Sequence, residues 1–272
     1  MKVVGTIFAL HPELQHMVRV ITVIVAVLYC VTASGQPLRT LNPELGYLVD
    51  RSPAGEARFV AAQRRCEELT SPASDGAAER TLTPSDWGLL EDCDDLPPSY
   101  YSILGYDCSW YCGGGDDTLS ASSTLSSQGG VSYEVGNAHD LSYGTAWVEG
   151  AEGYGIGESI TYHFPPHTPR ITEVNVVNGY VKSERLWRDN SRVKTLLMYV
   201  DGEAYAELHL ADTREVQSFT VEPLGHGDRA DWTSLVEKGW WTIRFEIAEV
   251  YEGDRYEDTA ITEIYFDGID VH

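Results

Sequence analysis

Apolar and polar positions alternate along the second half of the chain. "EAYAELHL" sets Ala204, Ala206, Leu208 and Leu210 against Glu203, Tyr205, Glu207 and His209. "WTIRFEIAEV" sets Trp241, Ile243, Phe245 and Ile247 against Thr242, Arg244 and Glu246. A period of two sends successive side chains to opposite faces of a strand, one toward a core and one toward water. The shorter apolar-rich runs "SASSTL", "VSYEV", "ESITYHF", "ITEVNVV", "RVKTLLMYV", "VQSFTVE" and "ITEIYF" predict further strands, punctuated by Gly, Pro, Asn and Asp. No long amphipathic helix pattern follows residue 115. Short strands separated by turn residues predict an all-β sandwich or barrel over residues 116–272, not a parallel α/β sheet.

Residues 36–115 have a different texture. "EARFVAAQRRCEEL" places Phe59, Ala62, Cys66 and Leu69 at spacings of three, four and three, which predicts a helix. A polar stretch at 70–84 reads as a linker, "TPSDWGLLED" as a short helix capped by Ser85, and "DCSWYCGGGDD" as the passage into the strands. Ahead of them, Arg19, an apolar run from Val20 to Val31 and the small residues Ala33 and Gly35 have the form of a cleaved signal peptide over 1–35. Met17 is an alternative start, and an uncleaved segment would instead anchor the chain to a membrane. Export to a periplasmic, cell-surface or extracellular site suits the cysteines. Without Cys30, the candidates Cys66, Cys93, Cys108 and Cys112 remain, an even number with three pairings open. Two disulfides are expected, in a small, partly irregular segment.

Charge narrows the partners. Acidic residues number 42 against 19 basic, a net charge of −23. Such a surface repels phosphate backbones and anionic lipid, which argues against nucleic acid. It tolerates divalent cations, neutral glycans and basic proteins. With 43% hydrophobic residues the chain can still bury a core.

Several short motifs carry no chemistry in context. "GYGIG" (Gly153 to Gly157) precedes a strand pattern, whereas a dinucleotide fingerprint needs a helix there, so no nucleotide cofactor is expected. "SRVK" (Ser191 to Lys194) lacks the partner motifs of serine β-lactam enzymes. "HD" at His139-Asp140 has no second histidine motif, and the carboxylates of "EGDRYEDTAITE" lie too close in sequence to single out a glycosidase pair. No catalytic residue is nominated.

"NAHDLSYGTAWVEG" holds hard oxygens in a glycine-containing loop. Asp140 and Thr145 from it, with Glu263 in the last strand pattern, suit calcium, which takes six to eight oxygen ligands. Asx and hydroxyl turn bonds account for the same spacing. "NGYVKSERLWRDNSR" brings Tyr180, Trp187, Asn190 and Arg192 to the junction of two strands. Aromatic faces and forked polar groups of this kind suit a sugar, or else pin a long loop to the sandwich.

Together, "YEVGNAHDLSYGTAWVEG", "GYGIGESITYHF", "VNGYVKSERLWRDNSRVK" and "VYEGDRYEDTAITEIYF" resemble one family from about Ser120 onward. It is the discoidin-like (coagulation factor V/VIII type C) domain of the NAD glycohydrolase translocation, or NADase-type glycan-binding, kind. The resemblance implies a galactose-binding-like jelly-roll sandwich and a structural calcium at Asp140, Thr145 and Glu263, with Ala138 as carbonyl donor. It also implies a place for Trp147 in the core and a glycan partner rather than NADase activity. The alternative is an adhesion module that binds a surface protein.

Overall fold

The computed structural model describes residues 38–70, 110–113 and 117–271, together with Thr83, Asp86, Cys93 and Ile103. The proposed signal segment and most of the linker and short helix expected near residues 70–93 lie outside the described residues. Within them, eleven strands form one continuous ladder folded into two layers.

One layer runs β2 (Glu44–Leu48), β9 (Glu215–Leu224), β6 (Arg170–Asn178) and β11 (Thr259–Ile269). The short β4 (Trp147–Val148) pairs with β11. The other layer runs β1 (Arg39–Leu41), β8 (Glu203–His209), β7 (Ser191–Val200), β10 (Trp241–Tyr251), β5 (Ser159–Phe164) and β3 (Thr118–Ala121). β11 joins them. It is antiparallel to β6, while its first residues, Thr259 and Ala260, run parallel to Ser191 and Arg192 of β7. This is the jelly-roll sandwich expected.

The alternation is visible in burial. Trp241, Ile243, Phe245 and Ile247 of β10 face the core with Ile160, Tyr162 and Phe164 of β5. Val174, Val176, Phe219, Ile264 and Phe266 meet them from the other layer. In β8, Ala206 and Leu208 are buried, but Ala204 is exposed. A register shift opposite Met198 and Tyr199 inserts one residue there, and with a period of two that turns the next side chain outward. Trp147 is fully buried, as expected.

"VSYEV" is a correction. Val131 forms only an isolated bridge to Gln128, and Val135–Ala138 is a 3-10 turn. Gly129 and Gly130, both at positive φ, fold the chain back at once. The Asn137 amide then donates to the Ser132 and Ala146 carbonyls at 2.9 and 3.0 Å, so side-chain bonds replace a ladder.

Ahead of residue 116, helix α1 (Pro53–Thr70) contains the expected stripe, with Leu69 buried and Phe59, Ala62 and Cys66 half-buried. Ser52 caps it, its hydroxyl accepting from the Gly55 N–H at 3.0 Å, and Pro53 fills the first turn. Cys66 and Cys93 form a disulfide. Cys112 is an exposed free thiol, which corrects the expectation of two disulfides that use all four cysteines, and Cys108 lies outside the described residues. Strands start earlier than residue 116, because β1 pairs with β8 and β2 with β9. No helix among the described residues is long and apolar enough to cross a membrane.

Candidate functional site

Beyond the end of β6, three loops meet. A cleft of about 160 Å³ lies between them, lined by Tyr133, Tyr180 and Tyr256 with Gln128, Asn190 and Asp258 at its polar positions. The Gly129–Gly130 turn presents Gln128 and Tyr133. The segment after β6 carries Tyr180 and leads into helix α2 (Glu184–Asp189), which Ser183 caps. The β10–β11 connection carries Tyr256, 39% exposed, and Asp258. Burial, followed by the neighbouring Tyr133, raises the Tyr180 hydroxyl above its usual range.

Hydrogen bonds fix these walls. Backbone N–H groups of Arg255 and Tyr256 donate to the Asp189 carbonyl at 3.1 and 2.8 Å, and Asp254 N–H donates to Arg188 O at 2.8 Å. The Ser191 N–H bonds the Asp258 carbonyl at 3.0 Å, and the Ser191 hydroxyl donates to Tyr256 O at 3.2 Å. Loops tied in this way lose little freedom when a ligand arrives.

The four residues that sequence nominates for a ligand divide into two pairs. Tyr180 and Asn190 line the cleft, and the Asn190 amide also caps α2 by donating to Leu186 O at 2.8 Å. Trp187 and Arg192 stand behind its wall. Arg192, only 7% exposed, makes a forked pair with Asp212 at 3.0 and 2.9 Å. Its remaining arm donates to Asn190 O at 3.2 Å and Glu252 O at 2.9 Å. Its guanidinium lies 4.7 Å from the centre of the Trp187 ring, whose indole N–H donates to Asn178 O at 3.0 Å. Gly179, at φ +78°, permits this closeness. A Cβ there would lie 2.6 Å from Arg192 Cγ and 2.7 Å from Trp187 Cδ1. Tyr133, Tyr256, Gln128 and Asp258 escape the sequence reading. The glycine pair after Gln128 was the one available signal.

The cation residues also converge. Thr145 Oγ1 donates to Asp140 Oδ2 at 2.7 Å, and the Ser142 N–H is shared between Asp140 Oδ1 at 3.1 Å and Glu263 Oε2 at 3.3 Å. Glu263 is fully buried, and its Oε1 has no hydrogen-bond partner. Burial, and then the Asp140 charge, pushes its carboxyl up to about 10, against the pull of the Ser142 and Leu141 N–H groups. Two carboxylates, one of them with a buried oxygen that has no partner, and a hydroxyl are a donor set that fits a hard cation. Among the described residues no three His, Cys, Asp or Glu side chains cluster, so backbone oxygens would have to complete the shell.

Beside this loop, Nε2 of the half-buried His139 lies 3.2 Å from Asp117 Oδ2, in ion-pair range but off the line of a hydrogen bond. Its Nδ1 meets Ile264 O at 2.8 Å. "GYGIG" is a turn. Gly153, Gly155 and Gly157 all have positive φ, and Gly155 packs on the buried Glu149, whose carboxylate accepts from the Thr259 and Ala151 N–H groups.

A jelly-roll sandwich whose loops converge at one end, with the first loop tied to the last strand, defines a discoidin-like domain. Residues 110–267, more than half of the chain, match the family described as NAD glycohydrolase translocation F5/8 type C domain, and the chain belongs to that family. Solved structures are similar at low identity. The CBM32-1 and CBM32-2 domains of Clostridium perfringens ZmpB share 10% identity at TM-score 0.40, over 75% of this chain and 44% of theirs. CpGH89CBM32-5 of the same organism, in complex with GalNAc-beta-1,3-galactose, shares 12% at TM-score 0.39, over 59% of this chain and 99% of its own. The mycobacterial arabinofuranosyltransferase AftD shares 14% at TM-score 0.39, over 74% of this chain and 13% of its own. The chain thus spans less than half of the ZmpB structure it matches. No curated protein matches it.

Proposed function

We propose that the protein is an exported, non-catalytic binding protein that recognises carbohydrate in the tyrosine cleft. A structural calcium at Asp140, Thr145 and Glu263 stiffens the adjoining loop. The observation that supports this most is the cleft lining. The rings of Tyr133 and Tyr256 offer apolar faces to the C–H side of a pyranose above the buried Tyr180, and Gln128, Asn190 and Asp258 offer donors and acceptors to its hydroxyls. At 160 Å³ the cleft is about half the smallest usual ligand pocket, which suits one terminal sugar residue. Such a site binds weakly, and attachment to a surface or to a second site would supply avidity. Trp187 and Arg192 serve as positioning residues behind the wall.

A protein-binding adhesion module is the second reading. It draws on Trp232 and Trp240, 61% and 57% exposed, in the β9–β10 connection. That connection lies toward the other end of β6, since Leu224 pairs with Ile171 at its start.

The test is a broad glycan array probed with the whole chain, in calcium and in chelator. Selective binding that Tyr256→Ala and Tyr133→Ala each abolish, with the melting temperature kept, supports the carbohydrate reading. A blank array from folded protein overturns it in favour of a protein partner. Binding indifferent to chelator removes calcium from the mechanism.

A further inference from the structure

A second cleft opens on the outer face of the β2–β9–β6–β11 layer. Its volume is about 640 Å³, and none of its described lining residues is Lys, Arg or His. Glu44 and Tyr47 of β2 line one side, Glu173 of β6 and Asp267 of β11 the other, and Tyr265 lies between them in the lining. Asp267 and Glu173 are register partners across the β11–β6 ladder. Like charges directly opposite one another in a ladder repel. Here a third carboxylate shares their cleft, and no described Lys, Arg or His pairs with any of the three. Glu173 Oε1 takes a neutral donor, the Asn175 amide at 3.0 Å, and Asp267 Oδ1 takes the Gly268 N–H at 2.7 Å.

β2 adds a second feature. It pairs with β9 on one side, and its other edge carries no partner strand among the described residues. A register shift between Leu45 and Leu48 lifts Gly46 and Tyr47 off the β9 ladder. Leu45 and Leu48 are 48% and 50% exposed. An unpaired edge accepts an extended segment through main-chain bonds, with side-chain pockets setting its identity. The pocket beside this edge combines uncompensated carboxylates with two tyrosine rings, which suits a guanidinium or ammonium head.

We propose that this cleft docks an extended basic segment of a partner protein. An arginine or lysine head sits between Glu173 and Asp267, and the segment's main chain runs along β2. A basic partner suits this cleft better than a second copy of this chain, because two copies that each carry a net charge of −23 repel.

The whole chain is titrated by fluorescence anisotropy into a labelled peptide of alternating Arg and Val, at about 150 mM salt to screen the distant charges. The control peptide carries citrulline, the neutral isostere, at each Arg. Expected is saturable binding, weakened at least ~10-fold by citrulline and by Glu173→Gln with Asp267→Asn. The exposed pair Glu203→Gln with Glu237→Gln removes as much charge and should leave binding unchanged. Glu44→Gln, a change on the opposite wall, should weaken binding ~3-fold and gives an independent reading should the double variant fail to fold. Absence of saturable binding overturns the proposal. So does equal loss in the control pair, which would mean a diffuse field. A calcium stoichiometry that falls by one in the cleft variant, with no peptide bound, would overturn it in favour of a metal site.

Discussion

Replacing Glu263 with Gln should stabilise the protein in chelator and remove its response to calcium. The native carboxyl holds its proton to about 10, whereas its ordinary value is 4.5. Between those values the native state binds one proton more than the unfolded state. Stability therefore falls as pH rises across that window, by ~1.4 kcal/mol per unit. At pH 7 the accumulated cost is ~3 kcal/mol. Gln has the same shape, keeps an oxygen for the Ser142 N–H and has no proton to lose, so it should recover about 2–3 kcal/mol in chelator. Urea unfolding at intervals from acid to mildly alkaline pH measures this directly. Wild type should lose stability with rising pH, and the variant should be flatter by one proton. Calcium at a hundredfold over its dissociation constant adds ~2.7 kcal/mol to a protein that binds it only when folded. Wild type should show that gain and Glu263→Gln should not. Parallel pH slopes, or equal stabilisation of both by calcium, would refute the reasoning.

Arg192→Met should destabilise by ~3 kcal/mol, because it strips partners from the Asn190 and Glu252 carbonyls and from Asp212. Urea unfolding checks the energy, and a parallel loss of glycan binding would confirm that the wall positions the cleft. Cys93→Ser opens a loop with a sequence separation of 27, which chain entropy values at ~3.5 kcal/mol. A lower melting temperature with an unchanged β-sheet circular dichroism spectrum is the expected result.

How far the sequence could be read depended on the range of the interaction. In β5 and in β10 up to Ile247 each residue's face follows from its parity, so the core set there was legible from alternation alone. Parity failed at Ala204, where one inserted residue in the β7–β8 ladder turned the face outward. It failed again at "VSYEV", where the glycine pair and Asn137 satisfied the backbone locally. The role of Arg192 was equally invisible. Two of the groups it holds, Asp212 and Glu252 O, lie 20 and 60 residues further along the chain. Nothing in "DNSRVK" distinguishes an arginine spent on such bonds from one turned toward a ligand.

By itself, then, the sequence determined the strand-rich class, the helix around Cys66 and the oxygen-bearing loop at Asp140, since these rest on periodicity, residue type and short spacing. Tertiary structure decided the rest. It paired Cys66 with Cys93 and left Cys112 free, brought Glu263 beside a loop some 120 residues earlier in the chain, and gathered three tyrosines into one cleft. It also drew residues 39–48 into the sandwich. Each of these depends on which strands become neighbours, and neighbours are set by burying both layers' apolar faces together, an energy that no local stretch of chain contains.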